Sequence, residues 1–308
     1  MNAPVEFPPP ALSQPLLRGV IRGGLRLLFR SLVRPPTPIA LQRGILRLLT
    51  LSVAPAGITR SSSTIGGRPC EWQRPQDDGG RVFLYLHGGA YLIGSPATHR
   101  AITGALAKLG KLAVCALDYR LAPEHRYPAA LEDSVAAYQA LLTAGYRAEQ
   151  IVIGGDSAGG NLALITALRL QELGLPRPGA LVCFSPVTDF SATQLHNPPA
   201  GDPLLNPVWM EQAIKLYCPP GMERQDPRLS PVYADVRGLP PTLIQVGGDE
   251  LLLNDSRRFA EHAKAAGCNV QLEVYPGLWH VFQAHLGLLK AADFAMARVI
   301  GFLRAQGF

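Results

Sequence analysis

Ile151-Val152-Ile153-Gly154-Gly155-Asp156-Ser157-Ala158-Gly159-Gly160-Asn161-Leu162 is the stretch that decides the fold. Its β-branched start reads as a buried strand, and the alanine- and leucine-rich run from Leu162 to Leu170 reads as a helix. Glycines two residues either side of Ser157 let the chain turn sharply between the two, with the serine side chain at the apex: a nucleophile elbow. The helix that follows aims its free amides and dipole at the place where negative charge would develop. Gly-x-Ser-x-Gly is a short pattern and loops are rich in both residues. Its position between strand and helix gives it chemical meaning.

A second segment adds to this. Arg81-Val82-Phe83-Leu84-Tyr85-Leu86 alternates like a strand, then breaks into His87-Gly88-Gly89-Ala90-Tyr91. Acyl transfer needs backbone N–H groups pointed at a carbonyl oxygen as it becomes tetrahedral. Consecutive glycines let such a loop approach a substrate without side chains in the way. Gly88 and Gly89 are therefore the expected oxyanion donors, with Ala158, just after the nucleophile, as the third. His87 reads as a residue that ties down its own loop by hydrogen bonds, in preference to a catalytic base.

Four motifs now stand in order: His87 to Ala90, Asp118-Tyr119-Arg120-Leu121-Ala122-Pro123-Glu124, Tyr127-Pro128-Ala129-Ala130, and Gly155 to Asn161. Together they resemble the hormone-sensitive-lipase family of α/β-hydrolases, in its bacterial carboxylesterase branch, from about residue 70 to the C-terminus. Ala90 departs from the family's third loop glycine, which implies a slight reshaping of the pocket. The resemblance also implies that Asp118 to Glu124 braces the oxyanion loop and the elbow. The fold it implies is a mostly parallel central sheet with helices on both faces and a helical cap.

The base is expected on a loop after the last strand. Val270 to Tyr275 alternates as a strand and leads through Pro276-Gly277-Leu278-Trp279 to His280, with Val281 to Leu289 reading as helix. His99, His125, His196, His262 and His285 lack this setting. For the acid, the strand Thr242 to Val246 is followed by Asp249 and Glu250. By eye Asp249 matches the family's aspartate at this turn. The family's spacing of thirty residues between acid and histidine falls instead on Glu250. Glu250 is preferred, with Asp249 as the alternative, since either carboxylate could hold the imidazole tautomer. Asp255 is expected on the next helix.

The expected reaction follows: Ser157 attacks an ester carbonyl, His280 moves the proton, Glu250 orients His280, and water hydrolyses the acyl-enzyme. No metal or organic cofactor is expected, because the chain carries no His-Glu-x-x-His, no zinc-like cysteine pairing and no dinucleotide-type glycine-rich turn. The five cysteines are scattered, and reduced thiols in a cytoplasmic enzyme are expected.

At 308 residues and 47% hydrophobic, the chain suits one large α/β domain, and no internal repeat is visible. Proline-rich stretches at 8–10, 35–38, 198–203 and 219–220 punctuate it. The expected division is a core over about 55–188 and 235–308, with a cap from about 1–50 and 189–234. Between Leu12 and Leu51, Arg18, Arg22, Arg26, Arg30 and Arg34 recur every four residues, one cationic stripe on a helix opposite Leu17, Val20, Leu25, Leu28 and Leu32. Three readings compete: part of the cap, a peripheral membrane attachment, or a cleaved targeting peptide. The stripe supplies much of the net charge of +6 and reads as a solvated or lipid-facing surface. Nucleic acid is not an expected partner, because no aromatic residues interleave with the charge.

Expected wall residues for the acyl pocket are Tyr91, Leu92, Trp209, Met210, Ile214, Leu253, Val281 and Phe282, all apolar or aromatic. The family implies esters of short to medium acyl chains. The expected partner is therefore a small-molecule ester, with weak membrane contact through the stripe and a homodimer left open. Two further function classes stay open: a membrane-associated lipase, and a non-catalytic ligand-binding protein on the same fold.

Overall fold

The computed structural model describes residues 5–7, 12–50 and 55–308. The proline run at 8–10 and the end of the leucine-rich stretch at Leu51 lie outside the described residues. The strands are β1 (Val5–Glu6), β2 (Ile58–Ile65), β3 (Arg68–Pro75), β4 (Val82–Leu86), β5 (Ala113–Leu117), β6 (Ile151–Asp156), β7 (Ala180–Phe184), β8 (Thr242–Gly247) and β9 (Val270–Tyr275). Among the described residues they form one nine-stranded sheet in the order β1-β9-β8-β7-β6-β4-β5-β3-β2. Only the β2–β3 and β3–β5 pairings are antiparallel.

β4 to β8 are buried along their whole length, as parallel strands covered on both faces must be. Alternate residues feed two cores. Phe83, Tyr85, Val114, Val152 and Val182 pack with α3 (Arg100–Gly110) and α8 (Lys290–Ala305). Leu84, Leu86, Cys115, Ile153, Leu181 and Ile244 face the opposite layer of α4 (Ala129–Thr143), α5 (Ala158–Glu172) and α7 (Leu253–Ala265). The protein has the α/β-hydrolase fold.

The strand order fixes where chemistry can occur. β4 leads to its neighbour β5 on one side, while β6, its other neighbour, leads to β7 on the far side, so the connections from the C-terminal ends of β4 and β6 run in opposite directions. A crevice opens at such a reversal. Leu86 stands opposite Gly155 in the register, which brings the loop after β4 beside the turn after β6. Both glycines of the elbow are required by this approach: a Cβ on Gly155 would lie 2.0 Å from the Leu86 carbonyl oxygen, and one on Gly159 would lie 1.9 Å from the same atom.

Two expectations are corrected here. Residues 281–289 do not form a helix. A single 3-10 turn covers Phe282–His285, Val281 enters it at φ +51°, and α8 begins only at Lys290. His285 is consequently part-buried against Trp279, not on a helix surface. The arginine stripe does not sit on one long helix either. The chain breaks between α1 (Pro15–Ser31) and α2 (Ile39–Leu49), leaving Arg34 beyond the end of α1. Arg18, Arg22 and Arg26 turn inward onto backbone carbonyls of Gly277, Gly201 and Ala200, while Leu16, Val20 and Leu27 face solvent. Long guanidinium side chains can reach buried acceptors that aliphatic ones cannot satisfy, so these arginines share the inner side of α1 with Leu17, Leu25 and Leu28, which pack against the core.

Candidate active site

Ser157 sits between β6 and α5 at φ +54° and ψ −118°, a conformation that side chains rarely adopt. It is held by its neighbours: the Ser157 amide donates to the Phe184 carbonyl at 2.8 Å, and its carbonyl accepts from Asn161 and Val187. The side chain lines a small cavity with Ala90, Tyr91 and Ala158. Ala158, the first residue of α5, lines the same cavity, and its amide has no acceptor inside the helix.

The loop after β4 differs from the sequence expectation at one atom. The Gly88 amide donates to Asp156 Oδ1 at 3.0 Å, so it is engaged and is not aimed at a substrate. Gly88 is therefore corrected from donor to anchor. The chain then passes through Gly89 at φ +118° and Ala90 at φ +55°, and no described group accepts the Gly89 or Ala90 N–H. Ala90 thus keeps a glycine-like backbone despite its methyl group. Asp156 is the hub that fixes this loop. It is fully buried, and its carboxylate also accepts from the Tyr85 hydroxyl at 2.6 Å and faces His99 Nε2 at 3.3 Å. Burial alone would raise the Asp156 pKa, but His99 and the hydrogen bonds outweigh it and hold the carboxyl below its usual range. Sequence reading passed over both Asp156 and His99, because their partnership crosses from one strand end to a distant helix start.

His87 stacks on Tyr119 with centroids 4.2 Å apart, and its Nδ1 lies 2.8 Å from the Gly88 carbonyl. Burial and the nearby His99 bring its pKa down to about 3, so the ring is neutral. The Tyr119 hydroxyl donates to the His87 carbonyl at 2.5 Å, and the Ala122 amide donates to the Tyr91 carbonyl at 2.8 Å. The Asp118 to Glu124 stretch therefore touches the loop directly.

After β8 and β9, His280 Nδ1 lies 3.1 Å from Glu250 Oε1, and both side chains are buried. Glu250 Oε2 accepts from Ser185 Oγ at 2.7 Å and from the Gly247 amide at 2.8 Å. Burial on its own would lower the His280 pKa. The Glu250 hydrogen bond and charge, with Asp202 and Asp156 further off, more than offset this and raise it. Of the two carboxylates after β8, it is Glu250 that reaches the histidine. Asp249 turns outward and pairs with Arg22 of α1 at 2.6 Å. Asp255 lies on α7, where it accepts from the Thr188 and Asp189 amides. Ser185 and Asp202 were missed in the sequence, and a lone serine after β7 or an aspartate in a Gly-Asp-Pro loop carries no motif that would reveal them.

The cavity wall is mainly apolar, made by Val187, Phe190, Leu205, Trp209, Met210, Ala213, Ile214 and Leu252 with Asp189 and the Ser157, Ala158, Ala90 and Tyr91 already named. Its volume is only about 40 Å³. Tyr91, Trp209, Met210 and Ile214 are placed here as expected from the sequence. Leu253, Val281, Phe282 and Leu92 are not. Leu253 is turned into the core one residue past Leu252, Val281 packs with Phe83 and Met296, Phe282 packs on Tyr275, and Leu92 is wholly buried. Proximity in sequence to the base and acid misled here, because the chain dives into the core as soon as it has delivered His280 and Glu250. A larger hollow of about 770 Å³ lies between α4 and α5, but none of the residues above lines it. No group of described residues is arranged to hold a metal ion.

A family model described as the alpha/beta hydrolase fold matches residues 83–284. The chain is 38% identical to an esterase of the bacterial hormone-sensitive-lipase family whose crystal structure superposes with a TM-score of 0.88, covering 96% of this chain and 99% of that one. The chain belongs to that family. It is also 40% identical over 224 residues to an esterase of Acinetobacter venetianus, covering 72% of this chain and 74% of the relative. An acetyl-hydrolase of Streptomyces hygroscopicus is 37% identical over 271 residues, 87% of this chain and 89% of its own length. As a member of this family the protein is a carboxylic ester hydrolase. No helix among the described residues is long and apolar enough to cross a membrane.

Proposed function

We propose that the protein is a serine carboxylesterase for short- to medium-chain acyl esters, working through a Ser157–His280–Glu250 triad and an acyl-enzyme. The single observation that carries this reading is the buried His280–Glu250 contact at 3.1 Å in a protein whose Ser157 lines a mainly apolar cavity. With Glu250 accepting from Nδ1, the proton of neutral His280 sits on Nδ1, and Nε2 is free to take the Ser157 hydroxyl proton as Oγ attacks. The Gly89, Ala90 and Ala158 amides receive the oxyanion, while the Gly88 amide keeps the loop fixed to Asp156. The imidazolium then gives its proton to the leaving alcohol. Water, deprotonated by the same ring, releases the acid. Ser157 is regenerated and no co-reactant beyond water is consumed.

The substrate class follows from the wall. Trp209, Met210 and Ile214 close an apolar space of about 40 Å³, room for a few carbons without movement of α6 (Pro207–Tyr217). The acetyl-hydrolase name of the Streptomyces relative points the same way. On this reading α1, α2 and residues 189–234 form the cap, joined where Trp209 Nε1 donates to Gln42 of α2 at 3.3 Å. The test is hydrolysis of p-nitrophenyl esters of increasing chain length, with Ser157→Ala as control. Serine-dependent turnover that peaks at short chains is expected. Absence of turnover at every length in a folded protein would reject the reading in favour of a ligand-binding role.

A further inference from the structure

The acid of the triad sits in a turn, residues 248–252, whose position no strand or helix fixes by itself. Glu250 is gripped by the core through Ser185 and Gly247. Its two chain neighbours are gripped from outside the core. Asp249 pairs with Arg22 of α1 at 2.6 Å. Leu251 is held on both backbone groups by the 189–234 segment: its amide donates to Asp202 Oδ2 at 3.0 Å, and its carbonyl accepts from the His196 amide at 2.8 Å.

Arg22 reaches beyond Asp249. Besides Asp249, its guanidinium donates to the Gly277 carbonyl at 3.4 Å, on the loop that carries the base, and lies 5.7 Å over the ring of Trp279, the residue before His280. Its other nitrogen reaches the Gly201 carbonyl at 3.5 Å, next to Asp202. One side chain thus touches the acid turn, the base loop and the segment that holds the acid turn from the far side. Arg22 and Asp249 are only 15% and 23% exposed, so solvent screens the pair less than an open surface bridge. A planar guanidinium with five donors can serve three such acceptors at once, which an ammonium cannot.

We infer that Arg22 is a positioning residue of the triad: from the N-terminal helix it locks the Asp249–Glu250 turn against the Gly277–His280 loop and so sets the geometry between acid and base. This rests on the assignment of Glu250 as the acid. Arg22 touches neither Ser157 nor the cavity wall, so its effect falls on the chemical step and leaves ground-state binding alone.

The test compares Arg22→Ala and Arg22→Lys in two backgrounds, wild type and Glu250→Gln, by kcat and KM on p-nitrophenyl butyrate, with thermal unfolding in parallel. In the wild-type background Arg22→Ala is expected to lower kcat about ten-fold or more with KM within about two-fold, the pattern of lost alignment. Arg22→Lys keeps the cation and α1 docked, and is expected to recover only part of the loss. In the Glu250→Gln background both substitutions are expected to change kcat by less than about two-fold, because residues that act as a unit are not additive. An equal kcat penalty in both backgrounds, or a rise in KM at constant kcat, would overturn the inference and leave Arg22 a structural or pocket residue. Wild-type kcat in Glu250→Gln alone would instead overturn the acid assignment, and with it the inference. Where Arg22→Ala fails to fold, Arg22→Lys carries the same comparison.

Discussion

Glu250→Gln is the substitution whose outcome the geometry constrains most tightly. A glutamine here has two orientations. With its oxygen toward Ser185 Oγ and the Gly247 amide, it keeps the two hydrogen bonds that Glu250 Oε2 now accepts. Its NH₂ then faces His280 Nδ1, which must become an acceptor, and the ring proton moves to Nε2. That tautomer cannot take a proton from Ser157. The flipped orientation restores an acceptor at Nδ1 but turns the NH₂ onto the Gly247 N–H, donor against donor in a buried site. Leaving such a group unsatisfied costs about 1–3 kcal/mol, so the productive orientation is disfavoured by about 5- to 160-fold from Gly247 alone. Loss of the carboxylate charge that stabilises the imidazolium adds to this, and the expected fall in kcat is about three to four orders of magnitude. The pH profile moves too. His280 must be neutral to act as base, and Glu250 raises its pKa by favouring the charged ring. The acid limb of kcat/KM in the wild type is therefore expected above the ordinary histidine value of about 6.5, and in the variant at lower pH. The assay is kcat/KM on p-nitrophenyl butyrate from pH 5 to 9, with Asp249→Asn as the companion. A Glu250→Gln variant within ten-fold of wild type, or an acid limb that does not move, would refute the reasoning.

Other outcomes follow from single contacts. Gly88→Ala places a Cβ 2.1 Å from Asp156 Oδ2, so loss of soluble protein or a stability loss above about 3 kcal/mol is expected by thermal or urea unfolding. Ala90→Gly, at φ +55°, is expected to keep kcat within a few-fold, since glycine adopts that backbone freely; a hundred-fold loss would argue against the Ala90 amide as a donor presented by backbone shape alone. Trp209→Ala removes the largest side chain from the cavity wall and should shift the p-nitrophenyl ester optimum by two or more carbons, without a comparable fall in kcat on the shortest ester. An unchanged chain-length profile would show that Trp209 serves α6 packing against Gln42 instead.

Much of this protein was legible in its sequence because the decisive features are local. The elbow needs glycines two residues either side of Ser157, since a Cβ on either would strike the Leu86 carbonyl, and that requirement is written in consecutive residues. The fully buried strands announce themselves as short apolar runs bounded by glycine, proline or polar residues. Counting from His280 singled out Glu250 because the elements between acid and base keep the family's length, and the side chain that meets His280 is the one that counting favours. Other features depended on partners far away along the chain. Gly88 reads as an oxyanion donor until Asp156, 68 residues on, is seen to accept its amide. Leu253, Val281 and Phe282 are as apolar as the true wall residues, and only the direction in which the chain re-enters the core separates them. The arginines of α1 carry the composition of a solvated stripe, yet their acceptors are the carbonyls of Gly201 and Gly277, more than 170 residues away. The sequence by itself determined the strands from β4 onward, the elbow at Ser157 and the choice of Glu250 as the carboxylate that meets His280, because steric and hydrophobic constraints act between near neighbours. Only the tertiary structure decided which amides are free, which apolar residues line the cavity and which way the arginines turn, because each depends on where distant partners end up.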